Sequence, residues 1–146
     1  MKLTAFTDYS LRVLIYLVAE PDQRATIAEI AAAFDISEHH LVKVVHFLGK
    51  QGWIETVRGK GGGIHLVLPP ETINVGHVVR ETEGAAVPAE CFLPEGGACA
   101  ITAACRLRHV LADAVKAFYG VLDQYTLADI ARNRHALARV LMMRAA

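Results

Sequence analysis

The sequence predicts a mainly α-helical chain with one small β-hairpin: a winged helix-turn-helix followed by a long dimerisation helix. Three observations carry this. Two short capped helical stretches are joined by a three-residue turn, two β-prone runs flank a glycine-rich tip directly after them, and an apolar stripe over 104–125 is longer than one hairpin could cover.

The elements follow in order. Thr7-Asp8-Tyr9 opens a helix whose apolar stripe is Leu11, Leu14, Ile15 and Val18, at helical spacing, and Pro21-Asp22 ends it. Thr26 with Glu29 forms a Thr-x-x-Glu capping box that starts a short helix, Ile27–Phe34. Asp35-Ile36-Ser37 makes a tight turn, Ser37 caps a second helix over Glu38–Lys50, and Gly52 stops it. The runs 53–57 and 64–68 alternate apolar and polar residues as half-buried strands do, around Arg58-Gly59-Lys60-Gly61-Gly62-Gly63. Pro69-Pro70 marks a boundary, and 74–83 reads as a short helix ended by Gly84. The cysteine-bearing stretch 85–104 reads as an irregular loop, with Pro88, Pro94 and Gly96-Gly97. Beyond it, Leu107, Leu111, Ala114, Phe118, Val121 and Tyr125 recur at steps of three and four, as in a coiled-coil-like seam. Thr126 with Asp129 resembles a further cap, and a last helical segment runs to about Met143. The expected organisation is a DNA-binding unit at 1–84, a cluster-binding loop at 85–104, and a dimerisation helix with a C-terminal helix at 105–146.

Bulk properties narrow the function. The chain of 146 residues is 53% hydrophobic, enough for a core without disulfide staples. The longest apolar run, 13–19, is too short to span a bilayer, and Arg12 interrupts any signal-like core. The expectation is a cytoplasmic protein without a membrane partner. Residues 1–80 hold eight Lys/Arg and eight Asp/Glu, and 81–146 hold seven of each. Bulk charge therefore lends nothing to nucleic-acid binding, which must come from a local patch.

That patch is expected on the second helix of the pair. Its apolar side uses Leu41, Val44, Val45 and Leu48, leaving His39, His40, Lys43 and His46 to present together. The N-terminal part of such a helix enters the major groove, so Ser37, His39, His40 and Lys43 are candidate DNA contacts. Arg58 and Lys60 at the wing tip would reach a flanking phosphate or the minor groove, and the glycines there let backbone approach backbone closely.

The three cysteines, Cys91, Cys99 and Cys105, form a Cys-x7-Cys-x5-Cys pattern. An odd number in a cytosolic chain argues against a disulfide framework, and the spacing is not that of paired Cys-x2-Cys zinc sites. Soft thiolates on one loop suit an iron–sulfur cluster, zinc or copper(I). Three thiolates leave one coordination position for another ligand. His109, one helical turn after Cys105, and Asp8 are both candidates, although Asp8 also fits a helix-start carboxylate paired with Arg12. There is no oxyanion-hole motif or phosphate loop, so the chain is not expected to be an enzyme. A zinc-stabilised winged-helix module and a metal-free thiol-redox repressor are the competing readings.

The chain resembles the Rrf-type winged-helix regulators, and within them the nitric-oxide-sensing NsrR repressors. The likeness runs through Leu3-Thr4-Ala5-Phe6-Thr7-Asp8-Tyr9, His40-Leu41-Val42-Lys43-Val44-Val45, Val57-Arg58-Gly59-Lys60-Gly61-Gly62-Gly63-Ile64 and Val78-Val79-Arg80-Glu81-Thr82-Glu83, of which the opening and wing motifs mark the wider family. The NsrR likeness rests on Cys99-x5-Cys105-Arg106-Leu107 and Leu122-Asp123-Gln124-Tyr125-Thr126-Leu127-Ala128-Asp129. The resemblance implies a homodimer on double-stranded palindromic operator DNA, with a 4Fe–4S cluster (2Fe–2S as the alternative) in each subunit. Cys91, Cys99 and Cys105 would bind it, with Asp8 from the partner subunit as fourth ligand. It implies a transcriptional repressor that takes nitric oxide as its signal. The other role open to the family is regulation of iron–sulfur cluster assembly or of redox stress. There a histidine near the third cysteine is a ligand; Arg108 occupies that position here and His109 lies one residue beyond.

Overall fold

The computed structural model describes residues 2–20, 24–84, 87–96 and 98–145. Pro21-Asp22, expected to end the first helix, lie outside the described residues, as do Ala85 and Gly97 of the loop. The elements are α1 (Ala5–Ala19), α2 (Ile27–Phe34), α3 (Glu38–Lys50), β1 (Ile54–Val57), β2 (Gly63–Leu66), α4 (Val75–Glu83), α5 (Arg106–Leu122), α6 (Leu127–Ile130) and α7 (Arg134–Ala145). This is the expected mainly helical architecture with one antiparallel hairpin, paired Ile54 with Leu66 through Val57 with Gly63.

Local chemistry explains the starts of the helices. Thr4 caps α1, its hydroxyl accepting from the Thr7 N–H. Thr26 and Glu29 close both arms of their capping box on α2. Ser37 occupies the N-cap position of α3, but its side chain makes no capping bond; only its carbonyl is used, by the amides of His40 and Leu41. Between α2 and α3, Asp35 takes a left-handed conformation at φ 55°, which lets the chain reverse tightly. Asn74 caps α4 through the His77 amide, and Thr126 with Asp129 closes a second full capping box on α6.

One core unites α1, α2, α3 and the hairpin. Val13, Leu14, Ile30, Leu41, Leu48 and Ile64 are fully or almost fully buried in it. The wing is more than a hairpin. Ala25, just before α2, pairs with Ile64 through two backbone hydrogen bonds of 3.0 and 2.7 Å, fixing the root of β2 to the helix pair.

The last third of the chain divides. No residue of α5 is buried. The helix ends at Leu122, one turn short of the expected Tyr125, because Asp123 is drawn to Arg80 of α4 and its carbonyl accepts from the Asn74 side chain. α6 and α7, expected as one segment, are separate, and both return to the first core. Leu127 and Ala131 join it, while Leu141 packs with Ala19 and Ala33.

Candidate functional site

The DNA-reading candidates lie where the helix pair presents them. Ser37 at the N-cap and His39, His40 and Lys43 on the N-terminal half of α3 are all exposed, while Leu41, Val44, Val45 and Leu48 anchor its other side. A helix held by four buried side chains offers a rigid outer face. His40 is further positioned by Tyr9 of α1, whose ring stacks on it at 6.1 Å and 27°. Glu38 is the acidic residue of the first turn and complements the helix dipole.

Arg58 and Lys60 are exposed at the wing tip. The tip turns on a Gly62 N–H to Gly59 carbonyl bond of 2.9 Å. Gly62 is there for space: a Cβ on it would stand 2.2 Å from the Val57 carbonyl oxygen. Arg24, a cation not among the predicted contacts, donates to the Gly61 carbonyl at 3.1 Å. It follows the expected turn at Pro21-Asp22 and carries no periodic signal that could have marked it.

The cysteines occupy separate turns. Cys91 is in a short 3-10 turn, Glu90–Phe92, and Cys99 accepts through its carbonyl from the Thr102 amide and hydroxyl at the start of a second, Thr102–Ala104. Cys105 is the N-cap residue of α5. All three are free thiols; Cys91 and Cys105 are half-buried and Cys99 is exposed. The segment carrying Cys91 folds back on the start of α5, because the Arg108 guanidinium lies 5.5 Å from the centre of the Phe92 ring. The start of α5 is electrostatically one-sided. It has no side-chain cap and no acidic residue in its first turn, and it carries Arg106 and Arg108 at the positive end of the helix dipole. Negative charge gathered at Cys105 would relieve this.

These donors suit an iron–sulfur cluster by type, being soft, unpaired and reachable from solvent. Among the described residues, no three His, Cys, Asp or Glu side chains come together as a metal-ligand group. Cys91, Cys99, Cys105 and Asp8 are therefore not drawn into one set within a single chain. Asp8 is instead held by Arg12, one turn on, with Nη2–Oδ2 at 2.8 Å and Nε–Oδ1 at 3.1 Å. His109 is exposed on α5.

Two further contacts connect these parts, and neither was legible in the sequence because their partners lie 43 to 79 residues apart. Glu83, the last residue of α4, accepts hydrogen bonds from the Thr4 amide (2.8 Å), the Thr4 hydroxyl (3.0 Å) and the fully buried Thr7 hydroxyl. Burial works against its charge, but the bonds from Thr7 and Thr4 outweigh this and hold the carboxyl below its ordinary value. Arg80 grips Asp123 through two bonds of 2.6 Å and lies 4.5 Å over the Tyr119 ring, which fixes α4 to the end of α5. Gly76 leaves room for that joint, since a Cβ there would meet the Asp123 carboxylate at 2.0 Å. Between Glu83 and α5 lies a cavity of about 470 Å³, lined by Leu3, Val87, Leu111, Val115 and Phe118 among others.

The chain matches, over residues 3–133, the family described as Rrf2, iron-dependent transcriptional regulator. It is 48% identical to the HTH-type transcriptional regulator NsrR of Bacillus subtilis over 145 residues, 99% of each chain. It is 50% identical to the NsrR of Geobacillus kaustophilus, again over 145 residues and 99% of each. Among solved structures, it superposes on CymR, the global cysteine regulator of B. subtilis, with TM-score 0.70 and 30% identity, covering 91% of this chain and 98% of that one.

Proposed function

The chain belongs to the NsrR branch of the Rrf2 family of transcriptional regulators, and on that footing we propose that it is a repressor answering nitric oxide through an iron–sulfur cluster. It would bind a palindromic operator as a homodimer, with a 4Fe–4S cluster on Cys91, Cys99 and Cys105. The observation that carries this reading is the cysteine loop: three free thiols, two of them on segments joined by the Arg108–Phe92 contact, beside an uncapped and cationic helix start. When bound, the cluster would supply iron able to take up a small diatomic molecule such as nitric oxide.

This chain's own residues provide the route from that loop to DNA. Asp8 is the proposed fourth ligand, offered to the partner subunit's cluster, and its competing partner is Arg12. The Arg12 guanidinium also lies 5.8 Å from the Phe34 ring on α2. A change in what Asp8 binds would therefore be felt at α2, while its neighbour Tyr9 bears on His40 in the recognition helix. In a dimer the two recognition helices must sit about 34 Å apart to reach successive major grooves, so a small rotation of α1 changes affinity. The exposed apolar residues Leu107, Val110, Val121 and Tyr125 on and just beyond α5 support a helix-to-helix dimer. Among the described residues, no helix is long and apolar enough to cross a membrane.

The test is an absorption spectrum of anaerobically isolated protein during titration with nitric oxide, with operator binding followed on the same sample. The expected result is a brown protein that bleaches as DNA is released. A colourless protein that still binds DNA would overturn the cluster reading and leave the winged helix standing. Asp8→Ala is expected to keep part of the visible absorption while DNA binding loses its response to nitric oxide. Unchanged DNA binding and unchanged release in that variant would exclude Asp8 as the link.

A further inference from the structure

The recognition helix turns one large apolar side chain to solvent. Val42 is 52% exposed, the sole exposed large hydrophobic among the described residues of α1, α2 and α3. The core side of α3 is supplied by Leu41, Val44, Val45 and Leu48, so Val42 takes no part in holding the helix. It stands three residues after His39 and four before His46, on one exposed stripe, with Lys43 beside it.

In isolation this is a poor choice of residue. Valine is a weaker helix former than alanine, lysine or glutamate, and an exposed isopropyl group gains nothing from burial. In a major groove it has one natural counterpart. Among the groups that base pairs show there, the thymine 5-methyl is the apolar one; the rest are hydrogen-bond donors and acceptors. A β-branched side chain also holds a single dominant rotamer in a helix, so its methyl groups sit at a fixed place relative to the polar side chains on either side.

We propose that Val42 is a specificity-determining residue that reads a thymine methyl in each operator half-site, between the groups contacted by His39 and His46. The inference rests on α3 being the DNA reader and adds which base feature the centre of that face requires. Histidine and lysine read hydrogen-bonding groups on base edges or phosphates, and none of those groups is the thymine methyl. A methyl contact in the middle of the stripe supplies a requirement for thymine that they cannot.

The experiment uses the full-length protein, isolated anaerobically and brown, and the duplex it enriches best from a random pool. Thymines of that duplex are replaced by uracil one symmetric pair at a time, which removes the methyl and keeps every hydrogen-bonding group. One pair is expected to weaken binding by about fourfold per half-site, roughly fifteenfold for the dimer, the worth of one buried methyl at each position. Val42→Ala is expected to weaken binding to the thymine duplex by a similar factor and to bind thymine and uracil duplexes equally. Its thermal unfolding should equal or slightly exceed that of the unsubstituted protein, because the side chain is exposed and alanine is the better helix former. A uracil series that binds with unchanged affinity, or a Val42→Ala variant that still prefers thymine, would overturn the role of Val42. Failure to enrich any duplex would overturn the DNA-reading assignment of α3, and this inference with it.

Discussion

The helix pair with its wing and the helix α5 treat apolar surface in opposite ways. The first half buries it: Leu14, Ile30 and Leu41 are inaccessible, and every element from α1 to β2 contributes to one core. α5 has no buried residue, and Leu107 and Val110 are each 61% exposed. One region is a finished fold and the other, on the reading proposed above, is half of an interface. The difference separates two requirements. Reading DNA needs a face held still by its own core. Sensing needs a part whose stability depends on what it meets, and such parts come from the less buried end of a structure.

The sharpest way to break this comparison is to substitute matched residues in the two regions. Leu41→Ala removes a fully buried side chain and is expected to cost about 3–4 kcal/mol in denaturant unfolding. Leu107→Ala, measured in the same way at concentrations where the protein is monomeric, should cost a small fraction of that. Comparable losses would mean that α5 is part of the core. Next in size, Val110→Asp should leave the secondary structure intact, shift the sedimenting species to monomer, and weaken operator binding by about a hundredfold, or 2.7 kcal/mol. An unchanged dimer would place the interface elsewhere. The smallest effect lies at the junction of the two regions. Glu83→Ala should cost about 1 kcal/mol, discounted for its partial exposure. The Glu83 carboxyl is held below its ordinary value in the folded state. Its contribution is therefore present above the unfolded value, near pH 4.5, and is lost as pH falls through the lower folded value. Unfolding measured from pH 6 to pH 3 should show a shallower loss in the variant than in the unsubstituted protein. Parallel curves would remove Glu83 from the account of acid stability.

What was legible in the sequence follows the same division. The capping boxes at Thr26 and Thr126, the stripes of α1 and α3, and the hairpin are local signals, and each appears within a residue or two of its expected place. Most of the failures are non-local. α5 stops at Leu122 although its apolar repeat continues to Tyr125, because Arg80, 43 residues earlier, takes Asp123. Ser37 has the residue type of a cap and makes no cap bond. The Glu83 contacts with Thr4 and Thr7 and the wing-side Arg24 carry no periodic signature at all. The cysteines were visible by spacing, but their arrangement was not, since a loop has no period from which geometry can be read.

The tip of the wing is rich in glycine. Its glycines suggest a floppy tip, yet Gly59, Gly61 and Gly63 are each committed to positive φ. The Gly59–Gly62 turn, Arg24 and the two Ala25–Ile64 bonds hold the ribbon at tip and root. Conformational entropy is therefore surrendered when the chain folds, and little would be left to lose if Arg58 and Lys60 reach a phosphate as proposed. Docking of the wing on DNA would then immobilise little beyond two long side chains, which would favour rapid exchange among candidate sites along a duplex.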